Sequence, residues 1–188
     1  MPRESEIENS GSGDVGAGDP GSGDRGRADG ADQPQRIAAI TLDDSLNARR
    51  SPEIEHERRI AIYDLLEQNS FSPQNCEPGP YFVSLGVQDN RLVLDIGRAE
   101  DGQTLRSIHL SLSPFRQIIR DYFLICESYY EAIKSAPPSR IEAIDMGRRG
   151  IHDEGSRILQ SRLKGKVSVD HNTARRLFTL LCVLHIRG

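Results

Sequence analysis

The residues with the most chemical potential lie between Met146 and Gly155, in the run MGRRGIHDEG. Two adjacent guanidiniums, Arg148 and Arg149, stand beside His152, Asp153 and Glu154, with glycines at 147, 150 and 155. If Gly147 and Gly150 interrupt a helix here, the cluster precedes a helix N-terminus. Its free N–H groups and the two guanidiniums then suit a phosphate or a carboxylate. If the helix is continuous, Arg149 with Asp153 and Arg148 with His152 are i,i+4 pairs on a solvated face. A second adjacent pair, Arg175 and Arg176, lies in the first turns of the last predicted helix and extends the same basic face. The candidate ligand-binding residues are therefore Arg148, Arg149, His152, Asp153, Arg175 and Arg176.

Other chemistries find less support. Glu142, Asp145 and His152 fall near one helical face, but a di-iron bundle needs two Glu-x-x-His repeats and more carboxylates, so no metal is expected. Gly147-x-x-Gly150 is too short for a dinucleotide fingerprint or a P-loop. Ser107 and Cys126 have no activating neighbours in sequence, and the five histidines are scattered. His109 faces the wet side of a predicted strand. No catalytic residue and no cofactor is expected.

The chain that must position these residues has 188 residues and a net charge of −4. Residues 1–34 hold three Arg against eight Asp and Glu, with eight of the 17 glycines. Such a segment cannot bury enough apolar surface to offset chain entropy, so it reads as a disordered tail. Residues 139–188 carry 10 basic and five acidic groups. That excess admits an anionic partner but is small for a nucleic-acid binder. Three widely spaced cysteines, Cys76, Cys126 and Cys182, form no C-x-x-C motif and point to a reducing compartment. No signal peptide is visible, nor any run of the roughly 18 apolar residues a membrane span requires. A cytoplasmic location is expected.

Residues 36–42 predict a strand, with a turn at Asp43–Ser45. Ser51 and Pro52 open a helix with Ile54, Ala61, Ile62, Leu65 and Leu66 on its apolar stripe and a solvated polar face from His56 to Arg59. Three period-two runs follow, at 81–88, 91–97 and 107–112, which predict an antiparallel meander with one buried face. The Pro114–Ser135 helix carries a wide stripe, from Phe115 and Ile118 to Tyr130 and Ile133. A stripe that wide is either sandwiched between layers or left for a partner, including a second copy of the chain. Ser139 starts a helix broken at Gly147 and Gly150, and another covers 152–164. Residues 167–169 are extended, and Asp170 or Asn172 caps a last helix that is apolar all round from Leu177 to Ile186, with His185 and Arg187 at its negative end. The expected fold is α+β: residues 35–188 form one domain, with a small, mostly antiparallel sheet and two helices over 35–136 and a helical part over 139–188.

Four blocks also carry a resemblance: Arg36–Leu46 (RIAAITLDDSL), Glu57–Leu66 (ERRIAIYDLL), Ile141–Gly155 (IEAIDMGRRGIHDEG) and Thr173–Gly188 (TARRLFTLLCVLHIRG). Over residues 36–188 the chain resembles a family of uncharacterised alphaproteobacterial proteins. The resemblance implies a bacterial cytosolic protein and brings no activity, ligand or catalytic residue. In outline, the hairpin, long helix and apolar closing helix are similar to small dimeric cell-division-ring accessory proteins. The first expectation is a non-enzymatic interaction or regulatory protein. A small anionic-ligand-binding or enzyme domain using the Arg148–Glu154 cluster comes next, and weak nucleic-acid binding or a cell-division-accessory role follows.

Overall fold

Alternating apolar residues build the sheet that supports everything else. The structure, a computed structural model, describes residues 35–43 and 51–185. The 1–34 tail, the turn residues Asp44 and Ser45, and Ile186 and Arg187 lie outside them. The strands are β1 (Ile37–Leu42), β2 (Phe71–Pro73), β3 (Tyr81–Gln88), β4 (Arg91–Arg98), β5 (Thr104–Ser111) and β6 (Val167–Val169). The helices are α1 (Pro52–Glu67), α2 (Arg116–Ser135), α3 (Pro138–Leu163) and α4 (His171–His185). This is the α+β class the sequence predicts. The order in the main sheet is β1-β3-β4-β5, with β3, β4 and β5 antiparallel and β1 added parallel to β3. Val83, Leu85, Leu94, Ile96, Ile108 and Leu110 point from one face into the core. The β3–β4 turn places Asp89 and Asn90 at φ 48° and 58°, the primed geometry that matches strand twist.

The helices close over that face. Ser51 caps α1, accepting from the Ile54 N–H at 3.4 Å, and Pro52 fills the first helical position. A single 3-10 turn, Ser113–Phe115, leads into α2. Asp170 caps α4, its Oδ1 accepting from the Thr173 N–H at 2.6 Å. Residues Leu177–Leu184 are all buried, so the apolar run of α4 is the centre of the core. It packs against α1, α3 and β3. The Gly155 backbone approaches the Phe178 ring so closely that a Cβ there would sit 2.4 Å from it. Glycine is what lets α3 and α4 meet.

Two small features tie distant segments together. β2 pairs antiparallel with β6, Phe71 opposite Val169. The Asn69 side chain accepts from the Ile37 N–H at 2.7 Å and donates to the Ile37 and Leu65 carbonyls at 2.9 and 2.7 Å. It thereby joins the end of α1 to the start of β1. Among the described residues, no helix is long and apolar enough to cross a membrane.

α2 uses most of its wide stripe internally. Ile118, Ile119, Tyr122 and Cys126 are buried, and Phe123 and Tyr130 pack against the core from its edge. Leu124 and Ile133 remain exposed on α2, as does Met146 on α3.

Candidate functional site

α3 runs unbroken for 26 residues through Gly147 and Gly150, which corrects the expected break. Its first residue is Pro138, with Pro137 rather than Ser139 at the cap. Each glycine costs a helix about 1 kcal/mol relative to alanine. The packing of His152, Gly155, Ser156, Leu159 and Leu163 into the core outweighs that cost. There is consequently no helix N-terminus beside Arg148, and no free N–H groups there to cradle an anion.

The expected i,i+4 partners change as well. Helical side chains lean toward the N-terminus, so both arginines reach back to Asp145. Arg148 Nη2 lies 3.1 Å from Asp145 Oδ1, and Arg149 Nη2 lies 2.8 Å from Oδ2. Burial raises the Asp145 pKa, but the hydrogen bonds and charges of Arg148 and Arg149 outweigh it and hold the carboxyl below its usual range. Arg148 also donates to Glu57 Oε1 at 3.2 Å and lies 4.8 Å over the Tyr129 ring. The Tyr130 hydroxyl donates to the same Glu57 oxygen at 2.9 Å. Glu57 is therefore only 14% exposed, whereas the sequence assigns it to a solvated face. His56, beside it, is exposed as expected.

Between α1, α3 and α4 lies a cleft of about 350 Å³. α4 contributes Asn172, Arg175, Arg176 and Thr179, α3 contributes Arg148 and His152, and α1 contributes Glu57, Ile60, Ala61 and Asp64. Four of the six predicted residues thus converge. Asp153 is not in the wall; it accepts from Arg175 Nη1 and lies beside His171 Nε2, both at 3.2 Å. The His171 hydrogen bond, followed by the Arg175 charge, lowers its pKa. Arg149 is absent from the cleft, 69% exposed and spent on Asp145.

His152 is buried beside the rings of Tyr122 and Phe178, with centroids 5.2 and 6.3 Å away. The Thr179 hydroxyl donates to the Arg175 carbonyl at 3.2 Å and lies 3.3 Å from His152 Nδ1. Burial, then the charges of Arg175 and Arg148, push the His152 pKa down to about 4, so the ring is neutral at pH 7.

Arg175 and Arg176 are the less committed pair. Among the described residues Arg176 Nε is buried without a hydrogen-bond partner, and it stands 3.8 Å from Asp64 Oδ2. Sequence reasoning misses Glu57, Asp64, Asn172 and Thr179. A usable signal exists on α1, where Glu57, Ile60, Ala61 and Asp64 fall at i, i+3, i+4 and i+7, one helical face.

The remaining nucleophile candidates are not activated. Burial pushes the Cys126 thiol up to about 11, aided by the Glu57 charge. Ser107 Oγ lies 3.2 Å from His109 Nε2, but both are exposed on the open face of β5. Among the described residues, no three His, Cys, Asp or Glu side chains are placed to hold a metal ion.

Mixed sheet, helical layer and a charged interhelical cleft define the class: an α+β protein with a small polar cavity. Residues 34–187 match the family described as "Uncharacterised protein family (UPF0262)", and the chain belongs to that family. It is 60% identical over 160 residues to a UPF0262 protein of Bradyrhizobium sp. strain ORS 278, covering 85% of this chain and 95% of that one. A UPF0262 protein of Azorhizobium caulinodans is 59% identical over 157 residues, covering 82% and 96%. One of Nitrobacter winogradskyi is 59% identical over 157 residues, covering 84% and 93%. None of these names states an activity. No solved structure matches the chain.

Proposed function

We propose that the protein is a cytosolic, non-enzymatic regulatory domain that binds a small anion in the α1–α3–α4 cleft. The observation that carries this reading is the second arginine pair. Arg175 and Arg176 line one cavity with the neutral His152, and their side chains stay 36% and 25% exposed. A carboxylate or phosphate oxygen entering the cleft meets the exposed parts of these two guanidiniums, where charge-assisted hydrogen bonds hold it. Arg148 and Arg175 are paired with Glu57, Asp145 and Asp153, so Arg176, 3.8 Å from Asp64, is the most loosely matched cation of the wall. Thermal-shift titration of the full chain with inorganic phosphate, acetate and small phosphorylated metabolites tests it. At least one anion raises the midpoint, because a ligand selective for the folded state stabilises it. The Arg175→Ala/Arg176→Ala variant loses that shift and Arg149→Ala keeps it. No shift with any anion at millimolar concentration overturns the reading.

A second reading rests on α2. Leu124 is 62% exposed and Ile133 48%, with Met146 of α3 at 67%, and these apolar groups suit a homo-oligomer formed through the Pro114–Ser135 helix. Phe123 and Tyr130 lend it less than their sequence positions suggest, because both pack inward. Light scattering behind a sizing column distinguishes a dimer from a monomer, and a monomer at all concentrations removes this reading.

A further inference from the structure

The cleft holds an ion pair that is only half made. Arg176 Nε and Asp64 Oδ2 are 3.8 Å apart, too far for a hydrogen bond, and among the described residues the Nε has no other acceptor. Asp64 is 45% exposed. The other cations are better matched. Arg148 is held by Glu57 and Asp145, and one Arg175 nitrogen by Asp153. The groups open to a ligand are therefore one carboxylate and the exposed parts of two guanidiniums that line the same cleft. A simple anion that satisfies Arg176 must sit against Asp64, and a simple cation meets the converse penalty. A molecule carrying both charges satisfies both sides with charge-assisted hydrogen bonds.

The surroundings limit its size and shape. Ile60 lies one turn before Asp64 on the same side of α1, 44% exposed, and Ala61 stands beside it. Together they make an apolar wall next to the charged pair. The cavity volume of about 350 Å³ is at the low end for small-molecule sites, about 300–1,000 Å³. Asn172 adds an amide at the α4 end.

We propose that the ligand is a zwitterion of the aliphatic α-amino-acid class. Its carboxylate lies on Arg175 and Arg176, its ammonium on Asp64, and its side chain against Ile60 and Ala61. This inference rests on the anion-binding reading above and narrows it.

Isothermal titration of the full chain separates the two. The probes are leucine and valine, their deaminated counterparts isocaproate and isovalerate, and isoamylamine, which lacks the carboxylate. One amino acid binds roughly tenfold more tightly than its deaminated acid, the worth of one charged hydrogen bond, and isoamylamine binds more weakly still. Asp64→Asn erases the preference for the amino acid and leaves carboxylate binding in place. Arg176→Gln weakens both. Equal affinity for leucine and isocaproate, unchanged in Asp64→Asn, overturns the zwitterion while leaving an anion site. Binding of inorganic phosphate without any amino acid does the same. Failure of every probe, phosphate included, overturns both.

Discussion

Two adjacent arginine pairs, Arg148–Arg149 on α3 and Arg175–Arg176 on α4, are identical in sequence type and differ in use. The α3 pair is the one that its glycine-rich, acid-rich neighbourhood advertises. It is committed to structure: Asp145 holds both guanidiniums, and Arg148 also bridges to Glu57 and Tyr129. The α4 pair stands between the capping residues Asp170–Thr173 and the apolar run from Leu177, and keeps donors to spare. A charged residue's local sequence reports how many partners lie within one helical turn. Spare capacity depends on what the other helices bring, and that is set by tertiary packing.

The comparison can be broken most severely at Gly155, where α3 and α4 meet. Gly155→Val forces a side chain into the Phe178 ring and costs about 3 kcal/mol or more, read as a lower urea midpoint. It also drives the two pairs apart, so anion binding is lost with it. Native stability in that variant would mean the helices do not approach as described.

His152 lies between the pairs and feels both, through Arg175 and Arg148. Its folded pKa of about 4 is below the ordinary 6.5. The unfolded chain therefore binds more protons between those values, and stability falls as pH drops through that window. It is complete above about pH 6.5 and levels off below about pH 4, with a total loss of about 3 kcal/mol. Urea denaturation at several pH values measures the slope, and His152→Gln flattens it. Asp145 and Asp153, with lowered pKa values, act at more acidic pH and do not mimic it.

Within the α3 pair, Arg148→Ala removes the cation shared by Glu57 and Asp145 and costs about 2 kcal/mol, between the exposed and buried ion-pair cases. Arg149→Ala changes stability by less than about 0.5 kcal/mol. The α4 pair inverts that pattern. Arg176→Gln leaves the denaturation midpoint nearly unchanged and lowers anion affinity roughly tenfold. Equal stability losses at Arg148 and Arg176 would erase the distinction.

Much of the fold was legible because its signals are local. Period-two runs located β3, β4 and β5, Ser51-Pro52 marked one helix start through capping chemistry, and of the two candidates for the last cap, Asp170 and Asn172, the structure uses Asp170. Gly147 and Gly150 misled because local propensity argues for a break. In the structure, Gly147 packs beside Ile125, and core contacts further along α3 carry the helix through. β2 was unreadable, being three residues whose partner β6 lies far along the chain. The site was half legible. Its arginines and His152 stand out by type, but Glu57 reaches Arg148 across 91 positions, and no spacing rule announces that.

Among the described residues β1 is an edge strand of the main sheet, and an unpaired edge is a template on which another chain can align. At Ile37 that template is already occupied. The Asn69 amide takes both the N–H and the carbonyl of this residue, as the peptide group of a neighbouring strand would. One side chain thus acts as a counterfeit strand, stopping the sheet from recruiting a stranger at that end. Asn69→Ala would reopen the edge, and turbidity during prolonged incubation at high concentration would rise before any loss of helix content.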